Sequence, residues 1–247
     1  MNILILGGTT EASDLARQIA GLGWSATLSL AGRTREPARQ PIPMRIGGFG
    51  GAPGLAAYLR ENAIDALVDA THPFAAQITR NAAQAAQDTG TPTLAIVRPP
   101  WQPQPGDRWR PVPDMQAAAA ALGAPPRRVL LTVGQKELAP FTAAHHYVVR
   151  SVEPPPILPP GATFIAARGP FQEANERDLL LAHAIDVIVT KNSGGAATQP
   201  KLAAARALGI EIIMVDRPAL PAGLQTVQTA AAALAWLTAH AGTLRRE

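Results

Sequence analysis

The sequence contains no cysteine. That removes a thiol nucleophile, a disulfide framework and any cysteine-based metal site. Aromatic residues are sparse: two Tyr, four Trp and five Phe among 247 residues. So few rings make a platform for stacking single-stranded bases improbable. No apolar run is long enough to span a bilayer. The opening stretch Met1–Gly8 is too short for a secretory core and lacks a basic flank, so a soluble, cytoplasmic protein is expected. Charge is thin as well. Lys and Arg number 22 against 18 Asp and Glu, a net charge of +4. The cations are scattered and form no run, so small phosphates or carboxylates suit this basic chain better than nucleic acid. His145 and His146 are adjacent and face opposite sides of a strand, which makes a poor metal pair. No metal site and no Ser-His-Asp set is expected.

What is present is apolar: 47% of residues are hydrophobic and 16% charged, enough for a substantial core and against disorder. Short runs rich in Ile, Val and Leu alternate with Ala-rich helical patterns. Strands are expected at Ile3–Leu6, Trp24–Leu30, Ile64–Ala70, Thr93–Val97, Arg128–Val133, Tyr147–Val152, Phe164–Ala167, Asp186–Thr190 and Ile212–Val215. Helices are expected at Ser13–Ala20, Gly54–Asn62, Phe74–Asp88, Gln116–Leu122, Glu173–His183, Ala197–Leu208 and Ala230–His240. Strand-then-helix alternation implies parallel sheets covered on both faces.

The chain also echoes itself. Asn2–Thr9 resembles Arg128–Gln135, and Ile64–Asp69 resembles Ile185–Thr190. Ile64–Asp69 and Ile185–Thr190 each precede a loop, a helix and a further strand ending in Arg-Pro, at Arg98-Pro99 and Arg217-Pro218. The spacing from Asp65 to Arg98 is 33 residues and from Asp186 to Arg217 is 31. The expected fold is α/β, with two Rossmann-like lobes, each a parallel sheet flanked by helices, and a ligand cleft between them. Residues 1–113 form the first lobe and 114–247 the second. Pro99–Pro113 holds six prolines and reads as a loop near the junction, with Asp114 as the N-cap of the next helix.

Ligands of open parallel sheets sit beyond the carboxyl ends of the strands. The first strand runs into Gly7-Gly8-Thr9-Thr10-Glu11-Ala12 and a helix. Glycines let the backbone approach a diphosphate, and the helix N-terminus offers unpaired N–H groups. The spacing is not G-x-G-x-x-G, so the dinucleotide fingerprint is partial; the alternative is a tight turn with a Thr N-cap. Glu11 sits awkwardly beside a diphosphate and is read as turning toward a ribose hydroxyl. Gly32-Arg33-Thr34-Arg35 follows the second strand, where arginine favours the 2′-phosphate of NADP; a solvated basic loop is the other reading. Gly47-Gly48-Phe49-Gly50-Gly51 suggests close approach to a ligand or to another chain segment. Thr71-His72-Pro73-Phe74 closes the next inner strand. Pro73 suits a first helical turn, and His72 can bind substrate, support the nicotinamide or donate a proton.

In the second lobe, Lys191, Asn192, Ser193 and Gly194 follow a strand and precede a helix carrying Lys201. They form an expected anion cradle, though without P-loop order. Lys136 and Arg168 close neighbouring strands and can meet substrate carboxylates or remain surface charges.

These pieces together resemble the precorrin-6A reductase family. The matching segments are Gly7–Ala12, Gly47–Gly51, Asp69–Ala75, Thr132–Lys136, Thr190–Gly195 and Val215–Pro218, in order along nearly the whole chain. The resemblance implies NADPH-dependent reduction of a double bond in the precorrin-6A macrocycle, giving precorrin-6B in cobalamin biosynthesis. With the residue readings above, NADPH contacts are expected from Gly7, Gly8, Thr9, Thr10, Glu11, Gly32, Arg33, Thr34, Arg35, Gly48, Phe49, Thr71 and Pro73, with His72 as the catalytic candidate. Substrate contacts fall to Phe74, Lys136, Arg168, Lys191, Asn192, Ser193, Gly194 and Lys201. The expected partners are the tetrapyrrole and, for hand-off, other corrin-pathway enzymes; neither nucleic acid nor membrane is expected. Two alternatives stay open: a cobalt-precorrin-6A reductase of the anaerobic route, and a two-lobed nucleotide-sugar transferase.

Overall fold

The computed structural model describes residues 1–32 and 38–244, the last three as backbone only. The chain divides into two compact units, residues 1–98 with 218–247, and residues 99–217.

In the first unit, β1 (Asn2–Leu6) is followed by α1 (Thr10–Ala20), β2 (Ser25–Leu30), β3 (Met44–Ile46), α2 (Gly51–Glu61), β4 (Ala66–Asp69), α3 (Ala76–Thr89) and β5 (Thr93–Ile96). The sheet is parallel, in the order β3-β2-β1-β4-β5-β12, where β12 is Thr226–Val227 near the far end of the chain. Strand alternation sorts β1 onto two faces. Ile3 and Ile5 pack with Leu15 and Ile19 of α1 and with Leu237 of α7 (Ala230–Leu244). Leu4 and Leu6 pack with Leu55 and Leu59 of α2 and with Ala82 and Ala85 of α3. Both faces are therefore buried, which is why these strands read as continuous apolar runs. Helix α1 buries Ala12, Leu15, Ala16 and Ile19, a stripe at the helical spacing.

The second unit runs β6 (Arg108–Val112), α4 (Met115–Ala121), β7 (Arg128–Thr132), a 3₁₀ turn (Gln135–Glu137), β8 (His146–Ser151), β9 (Thr163–Ala166), α5 (Glu173–Ala182), β10 (Val187–Lys191), α6 (Pro200–Leu208) and β11 (Glu211–Val215). Its parallel sheet is ordered β9-β8-β7-β10-β11-β6. Asp114 caps α4, accepting from the Ala117 N–H at 2.8 Å.

The two sheets share one strand order, each with its sixth strand supplied from outside the repeat. The strand after β5 joins the second sheet as β6, and the strand after β11 joins the first as β12. The expected division at residue 113 is therefore corrected. The chain leaves the first unit at Arg98-Pro99 and returns at Arg217-Pro218. Proline has no N–H to extend a ladder, so each Arg-Pro ends its strand and releases the chain. The stretch expected as a loop, Pro99–Pro113, contains β6, which takes Pro111 because it lies at the sheet edge.

Candidate functional site

In the first unit a pocket of about 570 Å³ opens at the carboxyl ends of β1, β2, β3 and β4. This is the point where strand order reverses, the usual ligand position of such sheets. Its walls include Gly7, Gly8, Ser29, Gly32, Gly48, Phe49, Thr71, His72, Phe74 and Asn81. Gly8 adopts φ +126°, a conformation open chiefly to glycine. Among the described residues, no acceptor takes its N–H. At the start of α1, Thr9 Oγ1 accepts from the Ala12 N–H at 3.2 Å and donates to the Ala70 carbonyl at 2.7 Å. The turn is thus pinned to the end of β4. A more open groove of about 800 Å³ lies between α3 and residues 221–225, at the amino end of β5. It gathers none of the glycines at the carboxyl ends of β1, β2 and β3.

Glu11 does not line the pocket. Its Oε2 accepts from Arg98 Nη1 at 3.0 Å and from the Thr10 hydroxyl at 3.1 Å. Burial pushes its carboxyl up. The backbone N–H of Glu11, the Arg98 charge and the Thr10 hydroxyl outweigh that and hold it below the usual carboxylate range. The carboxylate expected to turn toward a ribose is instead held by Arg98 and does not face the pocket. Thr9 and Thr10 also stand outside the lining. Arg33, Thr34 and Arg35 lie outside the described residues.

The glycine loop after β3 is held by a residue that the sequence reading missed. Arg45 donates to Ser29 Oγ at 2.8 Å, to the Gly47 carbonyl at 3.0 Å and to the Gly48 carbonyl at 3.1 Å. Its guanidinium stacks over the Phe49 ring at 3.8 Å. Ser29, Gln77 and Asn81 were missed too. Gln77 and Asn81 bond to each other at 2.9 Å across one turn of α3, an i, i+4 amide pair visible in the sequence.

At the end of β4, Asp69 accepts from the Thr71 N–H at 3.0 Å and is itself buried. His72 Nδ1 accepts from the Phe74 N–H at 3.3 Å. Pro73 is not the first residue of a helix. It occupies the second position of a turn closed by the Ala75 N–H on the His72 carbonyl at 2.7 Å, and α3 begins at Ala76. Pro73 does not line the pocket, whereas Phe74, expected against substrate, does.

In the second unit the expected anion cradle disperses. Lys201 is buried beneath the Trp101 ring, its Nζ 4.8 Å from the ring centre, and donates to the Thr198 carbonyl. Burial, then the nearby Arg150 charge, push its pKa down to about 7, with Glu176 opposing. Asn192 spends both side-chain polar atoms on the Trp101 backbone, at 2.8 and 3.1 Å. A Cβ at Gly194 would lie 2.2 Å from the Pro99 carbonyl oxygen. Asn192 and Gly194 therefore hold the segment entering the unit. Ser193 is buried as well. Lys191 pairs with Glu137 at 2.7 Å. Lys136 and Arg168 are exposed at the carboxyl edge. Arg150 and Glu176 form a buried two-bond pair, with Phe171 stacked on the guanidinium. Among the described residues no group of three or more His, Asp or Glu is placed to hold a metal, and no helix is long and apolar enough to cross a membrane.

The family model described as Precorrin-6x reductase CbiJ/CobK matches residues 2–238. A precorrin-6A reductase of Sinorhizobium sp is 55% identical, covering 91% of this chain and 88% of that protein. One from Rhodobacter capsulatus is 48% identical, covering 98% of each. The solved structure of a CobK precorrin-6A reductase superposes with a TM-score of 0.92 at 47% identity, covering 97% of both chains.

Proposed function

The chain belongs to the precorrin-6x reductase CbiJ/CobK family, and from that premise we propose that it reduces precorrin-6A with NADPH held by its first unit. It is an oxidoreductase of cobalamin biosynthesis; the preference for NADPH, the substrate contacts and the residue roles are the proposal.

One observation carries the reading: the glycine-walled pocket at the strand-order reversal of the first sheet. Its residues fit a dinucleotide. Gly7 and Gly8 allow a diphosphate to approach the backbone, and the α1 N-terminus, capped by Thr9, offers donors to it. Glu11 does not oppose that charge because Arg98 neutralises it. Arg33, Thr34 and Arg35, which follow β2 in the sequence, are assigned to the adenosine ribose and its 2′-phosphate. Gly48 and Phe49, held by Arg45, wall the same end. Thr71 and His72, at the tip of β4, are assigned to the nicotinamide end. When bound, the nicotinamide supplies the hydride that reduces a macrocycle double bond. His72 is the donor we assign for the accompanying proton. Exposed Lys136 and Arg168 in the second unit are assigned to the peripheral carboxylates of the macrocycle.

The test is titration with NADPH, NADH and a nucleotide sugar. NADPH is expected to bind tightest, and Arg33→Ala with Arg35→Ala should weaken NADPH far more than NADH. Equal, weak binding of all three ligands would remove the reading. The relatives at 48% and 55% identity are named precorrin-6A reductase, so NADPH oxidation should be faster with precorrin-6A than with its cobalt form.

A further inference from the structure

The two repeats place the same acid at the same point and use it in opposite ways. Glu11 lies three residues after Gly8, and Glu137 three residues after Gly134. Gly8 and Gly134 both stand two positions beyond the end of their central strand, β1 at Leu6 and β7 at Thr132. Arg98 and Arg217 likewise stand two positions beyond β5 and β11. In the first repeat Arg98 holds the acid at 3.0 Å, turned away from the glycine turn. In the second, Arg217 is engaged by the Asn192 carbonyl at 2.7 Å and the Pro99 carbonyl at 3.2 Å. Glu137 folds back instead. Its Oε2 accepts from the Gly134 N–H at 2.6 Å and from Lys191 Nζ at 2.7 Å.

A carboxylate oxygen between a glycine N–H and an ammonium sits where an oxyanion would sit at the tip of a central strand. Lys191 follows Thr190, the register partner of Thr132, as Ala70 follows Asp69, the partner of Leu6. The cation is thus an addition of the second repeat. The helix is a loss: where α1 has 11 residues, the second repeat has a 3₁₀ turn of three.

We propose that the second repeat retains an oxyanion seat, formed by the Gly134 N–H and Lys191, that the chain fills from within with the carboxylate of Glu137. The internal carboxylate excludes phosphate from that repeat and limits the chain to one dinucleotide. The second half of this statement rests on the cofactor reading above; the seat itself does not.

The test uses full-length protein saturated with NADPH, so that the first turn is filled, and inorganic phosphate as probe, followed by calorimetry and ³¹P line broadening. Wild type is expected to take one NADPH and no further phosphate. Glu137→Ala is expected to gain a phosphate site at least about tenfold tighter than any in wild type, and Glu137→Ala with Lys191→Met to lose it. Phosphate binding to saturated wild type as tight as to Glu137→Ala would overturn the proposal. So would a double variant that keeps the new site, or a second NADPH on wild type. Should Glu137→Ala fail to fold, the two wild-type measurements still decide. Failure of NADPH to bind at all would remove the cofactor reading, and the phosphate comparison on cofactor-free protein would then judge the seat alone.

Discussion

If Arg98 keeps the Glu11 carboxylate away from the glycine turn, removing Arg98 should turn that carboxylate into a competitor of the cofactor. The ion pair is well shielded, with side chains 15% and 20% exposed, so solvent screens it little. A hydrogen bond to a charged group contributes about 1.5–3 kcal/mol. In Arg98→Met that interaction is lost, and the freed carboxylate can accept from the Gly8 N–H as Glu137 does from Gly134. NADPH must then displace it, at a cost of about 10- to 150-fold in Kd for 1.5–3 kcal/mol. Arg98 makes further contacts, so the deciding arm is rescue. Arg98→Met with Glu11→Gln should recover most of the lost affinity. A pH series adds an independent signature. Burial raises the Glu11 carboxyl, and its own N–H, Arg98 and Thr10 together lower it below the ordinary value. Without Arg98 its pKa rises. The single variant should therefore regain NADPH affinity as pH falls toward that of an ordinary carboxylate, more steeply than wild type. Calorimetric titration from pH 8 to pH 5 reads both effects. A double variant as weak as the single one would refute the reasoning.

Three further outcomes follow from named contacts. The pKa of Lys201, pushed down to about 7, makes the folded second unit bind fewer protons than its unfolded chain between pH 7 and the ordinary lysine value. Stability should therefore rise with pH across that window and carry its full penalty below it. Lys201→Met should flatten the rise and exceed wild type at pH 6 in urea midpoint. Gly194→Ala adds a Cβ 2.2 Å from the Pro99 oxygen at φ +66°, so melting should fall by at least about 5 °C, the shift expected from roughly 1 kcal/mol in a unit of this size. Arg45→Met removes bonds to Ser29, Gly47 and Gly48; with each worth about 1 kcal/mol, the KM for NADPH should rise about tenfold or more while kcat stays within about twofold.

Much of the fold was legible because both sheets are parallel and doubly covered, so each inner strand reads as an apolar run followed by a helical stripe. What escaped was the edge. β6 carries Arg108, Arg110 and Pro111, and β12 has two residues; a strand with one neighbour and an exposed face shows neither an apolar run nor clean alternation. Missing these two strands displaced the boundary, because they are the exchanged ones. Among the walls of the pocket, Gly7, Gly8, Gly48, Phe49, Thr71 and His72 were recognisable by residue type at strand ends. Asn192, Gly194 and Lys201 carry the same kinds of signal and serve the entering segment instead. A glycine that walls a pocket and a glycine that admits the Pro99 carbonyl are identical in sequence; only the neighbour distinguishes them.

The exchanged strands and the paired acids are one problem seen twice. Each repeat ends its fifth strand in Arg-Pro, and proline obliges the chain to leave the sheet there. That departure sets an arginine two residues past the strand, at the carboxyl edge that also bears the glycine turn. Its guanidinium can meet the acid of the turn, or it can bind the carbonyls of the crossing chain. Arg98 does the first at Glu11, whereas Arg217 does the second at Asn192 and Pro99. A carboxylate deserted by its arginine must find other donors when half-buried. In the second repeat those donors are the Gly134 N–H and Lys191. The partner chosen by one arginine thus separates a turn left open from a turn already filled, with strand order unchanged. Grafting the first choice onto the second repeat, by Lys191→Ala to remove the competing cation, should loosen Glu137 from Gly134. Faster exchange of the Gly134 amide in that variant is the expected result; an unchanged rate would mean that the short turn alone, not the cation, holds the carboxylate in place.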